Sequence, residues 1–141
     1  MRAPQVIPVL NELLRILCRS LPAYLADAKP WAHSEHQQFQ TALDHLVADQ
    51  QRYARLVTDA ITAHGGRPDP GRFAMHWTAK NDLSLGFLLQ EVIDQQERDV
   101  AALEHCAAAL EEIAPLHSLA EEILGNARGH LDILKEIVTA K

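Results

Sequence analysis

Basic charge is scarce in this chain. Thirteen Lys and Arg stand against nineteen Asp and Glu in 141 residues, for a net charge of -6. Arg52 and Arg55 fit an ordinary solvated helix face, and no basic cluster occurs. Phosphate binding needs clustered cations, so the composition argues against nucleic acid as a partner. Cysteine is scarce as well. Cys18 and Cys106 lack the spacing of a metal-binding pair and are expected to be reduced core or boundary residues of a cytoplasmic protein. Long apolar runs are missing, which argues against a membrane span. Asn11, Glu12, Arg15 and Arg19 interrupt the stretch that follows Arg2, so that stretch is expected to be an amphipathic helix and not a signal peptide. There is no sustained strand alternation, no nucleophile motif and no glycine-rich phosphate loop. Gly65-Gly66 lacks the following Lys-Ser/Thr that such a loop requires.

What the chain does have is four apolar stripes at alternating steps of three and four. The first is Ile7, Leu10, Leu14, Leu17, Leu21, Tyr24. The second is Phe39, Leu43, Leu46, Gln50, Tyr53, Val57, Ile61. The third is Leu85, Leu89, Ile93, Gln96, Val100, Leu103, Ala107, Leu110. The fourth is Ala120, Ile123, Ala127, His130, Leu134, Ile137. Each set falls on one face of an α-helix, and four such faces can bury one another. The polar residues at mid-stripe then point toward the middle of the bundle, where any chemistry would lie. The length suits one domain, residues 1–141.

Proline and glycine set the helix limits. Pro22 lies inside the first stripe and is expected to kink that helix or free a carbonyl. Pro30 ends or bends it, and Ser34 with Gln37 has capping-box spacing for the second helix. Gly65-Gly66 stops the second helix, since glycine readily takes the left-handed cap conformation. Asn81 or Asp82 can cap the third. Pro115 is expected to end it, with Ser118 and Glu121 as a capping box for the fourth. The links near Pro30 and Pro115 are short and predict antiparallel neighbours. The segment from Gly65 to Lys80 is longer, and extended it could run the length of a bundle of about 40 Å. It carries Phe73, Met75 and Trp77, which suit packing along the bundle. The expected fold is all-α: two antiparallel hairpins joined by a long crossover.

Three stretches resemble the bacterioferritins and rubrerythrin-related proteins: Leu10-Asn11-Glu12-Leu13-Leu14 followed by Tyr24; Ile61 to Pro68 with Gly65-Gly66-Arg67-Pro68; and Gly129-His130-Leu131-Asp132-x-Leu134. The resemblance implies a ferritin-like four-helix bundle with a mid-bundle di-iron site, built from one Glu on each of two helices and a Glu-x-x-His pair on each of the others. Carried over by position, the first-helix Glu becomes Leu17. The second-helix pair becomes Gln50 and Tyr53. The third-helix Glu matches Glu97, although the stripe itself passes through Gln96. The fourth-helix pair becomes Ala127 and His130. Only Glu97 and His130 keep a ligating side chain, and two such groups without bridging carboxylates do not make a di-iron centre.

The expected outcome is a vestigial layer in which Gln50, Tyr53, Glu97 and His130 form a satisfied buried network. No metal and no cofactor is expected; if a metal binds, Glu97 and His130 are the first candidates. His33 and His36, spaced i, i+3, suit a solvated helix end. The hemerythrin pattern needs further His pairs and carboxylates, and these are absent. His117 and Glu121, spaced i, i+4, suit a surface pair. His45, His64, His76 and His105 have no partner by spacing.

The functional expectation is a non-catalytic, homodimeric bundle acting in interaction or scaffolding. One alternative is an iron-binding ferroxidase, iron-storage or peroxide-handling protein that recruits carboxylates such as Asp49, Glu91 or Asp94. Another is a pocket for a small apolar ligand between the helices.

Overall fold

In the computed structural model, which describes residues 3–28, 37–73 and 85–139, every regular element among those residues is an α-helix. The helices are α1 (Ala3–Cys18), α2 (Leu21–Ala28), α3 (Gln37–Ala63), α4 (Leu85–Ala109) and α5 (Ala114–Thr139). The polar interruptions of the stripes do not break the helices, because the apolar positions around them still bury one face. The second stripe is buried throughout, from Phe39 to Ile61. Leu10, Leu14, Leu17 and Leu21 of the first are buried, as are Leu89, Ile93, Gln96, Val100 and Leu103 of the third. None of the helices is long and apolar enough to cross a membrane among the described residues. Both cysteines are free.

The first predicted helix is two helices, α1 and α2, and Pro22 is the reason. A proline at this position cannot donate to the carbonyl of Cys18, four residues back. Arg19 Nη1 donates to that carbonyl instead, at 3.2 Å. Ser20 then caps α2: its hydroxyl accepts the N–H of Ala23 at 3.1 Å, the usual geometry of a serine N-cap. At the far end of α3 the two glycines act as predicted. Gly65 has φ of 79°. Its N–H reaches Thr62 O at 3.0 Å and that of Gly66 reaches Ile61 O at 2.9 Å, which is a Schellman cap. Gly66 also packs against Ile7 so closely that a Cβ there would collide with the isoleucine side chain.

The α4–α5 link differs from the sequence reading. Pro115 lies in the first turn of α5 and does not end the preceding helix, and Ser118 lies inside α5. A first turn needs no N–H from proline, so Pro115 can start a helix as readily as stop one. The Pro30, Ser34 and Asn81/Asp82 signals lie outside the described residues, as do His33, His36, His76, Met75 and Trp77.

Paired contacts give the helix directions. Ile7 meets Gly66 and Ser20 meets Gln50, so α1 and α3 are antiparallel. Asp49 meets His130 and Tyr53 meets Glu122, so α3 and α5 are antiparallel. Glu97 meets Lys135 and Ala107 meets His117, so α4 and α5 are antiparallel. α4 also packs on α1. It follows that α3 and α4, consecutive in sequence, run in the same direction. The chain that leaves α3 turns back along α1.

Its described portion does so on the surface of α1. Asn11 brackets it first: Nδ2 donates to Arg67 O at 3.1 Å, and Oδ1 accepts the N–H of Asp69 at 2.7 Å. Arg15 Nη2 then meets Asp69 Oδ2 at 3.2 Å, and Arg19 Nε donates to Gly71 O at 2.8 Å. The Arg19 guanidinium lies 5.0 Å from the centre of the Phe73 ring, and that ring packs edge-on against Tyr24, 5.5 Å between centroids. The spacing is physical. Eight helical residues from Asn11 to Arg19 rise about 12 Å, and four extended residues from Arg67 to Gly71 span about 13 Å. Each turn of α1 thus meets every second residue of the crossover.

Candidate functional site

Midway along the bundle all four long helices border one small chamber. α1 contributes Ile16 and Leu17. α3 contributes Leu46, Gln50 and Tyr53. α4 contributes Gln96, Asp99 and Leu103, and α5 contributes Ile123, Asn126, Ala127 and His130. On α3, α4 and α5 the lining residues recur at steps of three or four, which keeps them on one face of each helix. The free volume is about 20 Å³.

Of the positions singled out in the sequence, Leu17, Gln50, Tyr53, Ala127 and His130 meet at this chamber. Glu97 does not join them. Its side chain is half exposed and pairs with Lys135 at 3.7 Å. The stripe residue Gln96 takes the inward position and is 2 % exposed. Neighbours on a helix point about 100° apart, and Gln96 lies on the buried stripe while Glu97 is turned toward solvent.

The polar groups form several short networks. Gln50 Oε1 accepts the Ser20 hydroxyl at 2.9 Å, which ties the α1–α2 break to the middle of α3. His130 Nε2 donates to Asp49 Oδ2 at 2.7 Å, and Asn126 Nδ2 donates to the same oxygen at 2.8 Å. Arg52 lies 3.6 Å from Asp49 Oδ1. Hydrogen bonds from Asn126 and His130, with the nearby Arg52 charge, hold the Asp49 carboxyl below the usual carboxylate range. The Tyr53 hydroxyl donates to Glu122 Oε2 at 2.9 Å, and the Arg52 guanidinium covers the ring, 4.3 Å from its centre. Burial, with help from Glu122, pushes the Tyr53 phenol up.

Asp99 is the residue that sequence reasoning missed. One carboxylate oxygen accepts Gln95 Nε2 at 3.1 Å. The other, Oδ2, is buried and accepts no hydrogen bond among the described residues, and the same holds for Gln96 Oε1. Burial raises the Asp99 carboxyl to about 6. Its position three residues after Gln96 on the third stripe was the available signal. Asp49 and Asn126 border the second and fourth stripes, but their pairing with His130 depends on the register between α3 and α5, which periodicity does not contain.

The donor set does not fit a di-iron centre. At the positions that the resemblance implies for ligands, Leu17, Gln50 and Ala127 bring no carboxylate to the chamber, and no three His, Cys, Asp or Glu side chains among the described residues gather as a metal site. Among the described residues, His117 and His64 make structural contacts. His117 donates Nδ1 to Ala107 O at 2.9 Å and lies 3.5 Å from Glu121, so it bridges the α4–α5 turn. His64 Nδ1 lies 2.9 Å from Ala60 O at the end of α3. His45 and His105 are exposed. Asp94 accepts Gln90 Nε2 at 3.0 Å on the surface. No protein-family model, curated protein or solved structure matches the chain.

Proposed function

We propose that the chain is a ferritin-like four-helix bundle that has lost the di-iron chemistry of that architecture and acts without catalysis, as a homodimeric interaction or scaffolding protein. The supporting observation is the composition of the mid-bundle chamber. Apolar Leu17 and Ala127 occupy two of its ligand positions, and His130 is committed to Asp49. The same-direction course of α3 and α4, with the crossover seated on α1, supports the ferritin-like assignment. Leu56, Phe87, Ile133 and Val138 are large apolar side chains exposed to solvent, and a dimer partner would cover some of them.

The test is metal analysis of protein purified without chelators, followed by Fe(II) addition with oxygen consumption recorded. This reading expects no stoichiometric iron, manganese or zinc and no oxygen uptake above buffer. Sedimentation should give a dimer. Stoichiometric metal lost on His130→Ala would overturn the reading in favour of an atypical ferroxidase, iron-storage or peroxide-handling site. One observation favours that second reading: the Asp99 carboxylate and the His130 imidazole border the same chamber. The apolar-ligand reading gains no support there. A free volume of about 20 Å³ is far below the roughly 300 Å³ of small-molecule pockets.

A further inference from the structure

Two buried acceptors on residues lining the chamber lack a hydrogen-bond partner among the described residues. Gln96 and Asp99 sit one turn apart on α4 and both border the chamber. Gln96 is 2 % exposed. Its Oε1 and the Asp99 Oδ2 are buried with no hydrogen-bond partner among the described residues. A buried acceptor left unpaired costs on the order of 1–3 kcal/mol, and native proteins rarely leave two together. Four donors nearby are already engaged: Tyr53 with Glu122, Asn126 with Asp49, His130 Nε2 with Asp49 and Gln95 with the other Asp99 oxygen. The space available, about 20 Å³, admits one molecule of the size of water.

We propose that the chamber is a binding site for a single hydrogen-bond donor of one heavy atom, water or the isosteric ammonium ion, held between Gln96 Oε1 and Asp99 Oδ2. The two protein groups accept, so the guest must bring at least two hydrogens. A halide brings none, and any anion would face the carboxylate. An ionised Asp99 suits ammonium by charge; water serves the same two bonds without charge. Neither source depends on the ferritin-like assignment.

The experiment is a high-resolution crystal structure of the full chain at about pH 8, where Asp99 is ionised, with melting curves in ammonium chloride and in tetramethylammonium chloride at equal ionic strength. The expected density is one peak within hydrogen-bond distance of both oxygens, lost in the nearly isosteric Gln96→Met variant. A melting temperature that rises with ammonium, but not with tetramethylammonium, in the wild type and not in Asp99→Asn identifies ammonium. Equal curves with the peak present identify water. No peak, or a Gln96 amide turned to donate straight to Asp99, overturns the proposal. Should Gln96→Met fail to fold, the wild-type density and the Asp99→Asn melting comparison decide alone.

Discussion

Replacing Asp99 by Asn should stabilise the protein at neutral pH and leave its stability nearly unchanged in acid. Burial holds the Asp99 carboxyl at about 6, against 3.8 for the ordinary group. As pH rises past 3.8 the carboxyl of the unfolded chain ionises first, while the folded one stays protonated. Folding therefore weakens between about pH 4 and pH 6, and above that range the penalty is constant. Two pH units at about 1.4 kcal/mol each give a penalty of about 3 kcal/mol. This is a ceiling, because a guest that donates to Oδ2 relieves part of it. Asparagine keeps the shape and carries no charge to desolvate. The variant's advantage should thus grow from near zero at pH 3.5 to between about 1 and 3 kcal/mol at pH 7.5, the upper value being about 10 °C in melting temperature. Urea unfolding followed by circular dichroism at both pH values, with unchanged m, measures it. An advantage of the same size at both pH values, or a variant less stable at pH 7.5, would refute a buried, destabilising carboxylate at this position.

Three further experiments probe other parts of the bundle. In a double-mutant cycle by urea unfolding, His130→Leu and Asp49→Asn should couple by about 1 kcal/mol, whereas His130→Leu and Glu97→Gln should be additive, because Asp49 and not Glu97 holds the imidazole. The Asp49 contribution should be present above pH 3.8 and fade as pH falls through its depressed native value. Ser20→Ala removes the α2 cap and strands Gln50 Oε1, so it should lower stability by about 2 kcal/mol in thermal unfolding, with Ser20→Thr milder. Gly66→Ala should cost about 1–3 kcal/mol through its collision with Ile7, and a second change, Ile7→Ala, should recover part of that loss.

The period of the stripes carried most of the fold. Phe39 to Ile61 is buried at every stripe position, and Gly65 caps α3 with the positive φ that its type permits. It also located the chamber, since Gln50, Tyr53 and His130 were read as inward from their spacing alone. Glu97 shows where a likeness can mislead: it matched a ligand position, yet the apolar period beside it already selected Gln96. Asp99 was passed over because a carboxylate next to a core stripe is normally solvated. The partner of His130 is 81 residues away, and nothing local encodes that meeting. The α5 start was misread because proline fits both the end of one helix and the first turn of the next.

The chamber has no owner in the chain. Residues 3–73 supply Leu17, Gln50 and Tyr53, and residues 85–139 supply Gln96, Asp99, Asn126 and His130. The first half is already laced together, since the bonds from Asn11, Arg15 and Arg19 all end within residues 67–71. The chamber comes into being only when the two halves close on each other. Residues of both halves line the chamber beside Asp99, so acidity, by neutralising that carboxyl, favours the assembled bundle over the unfolded chain.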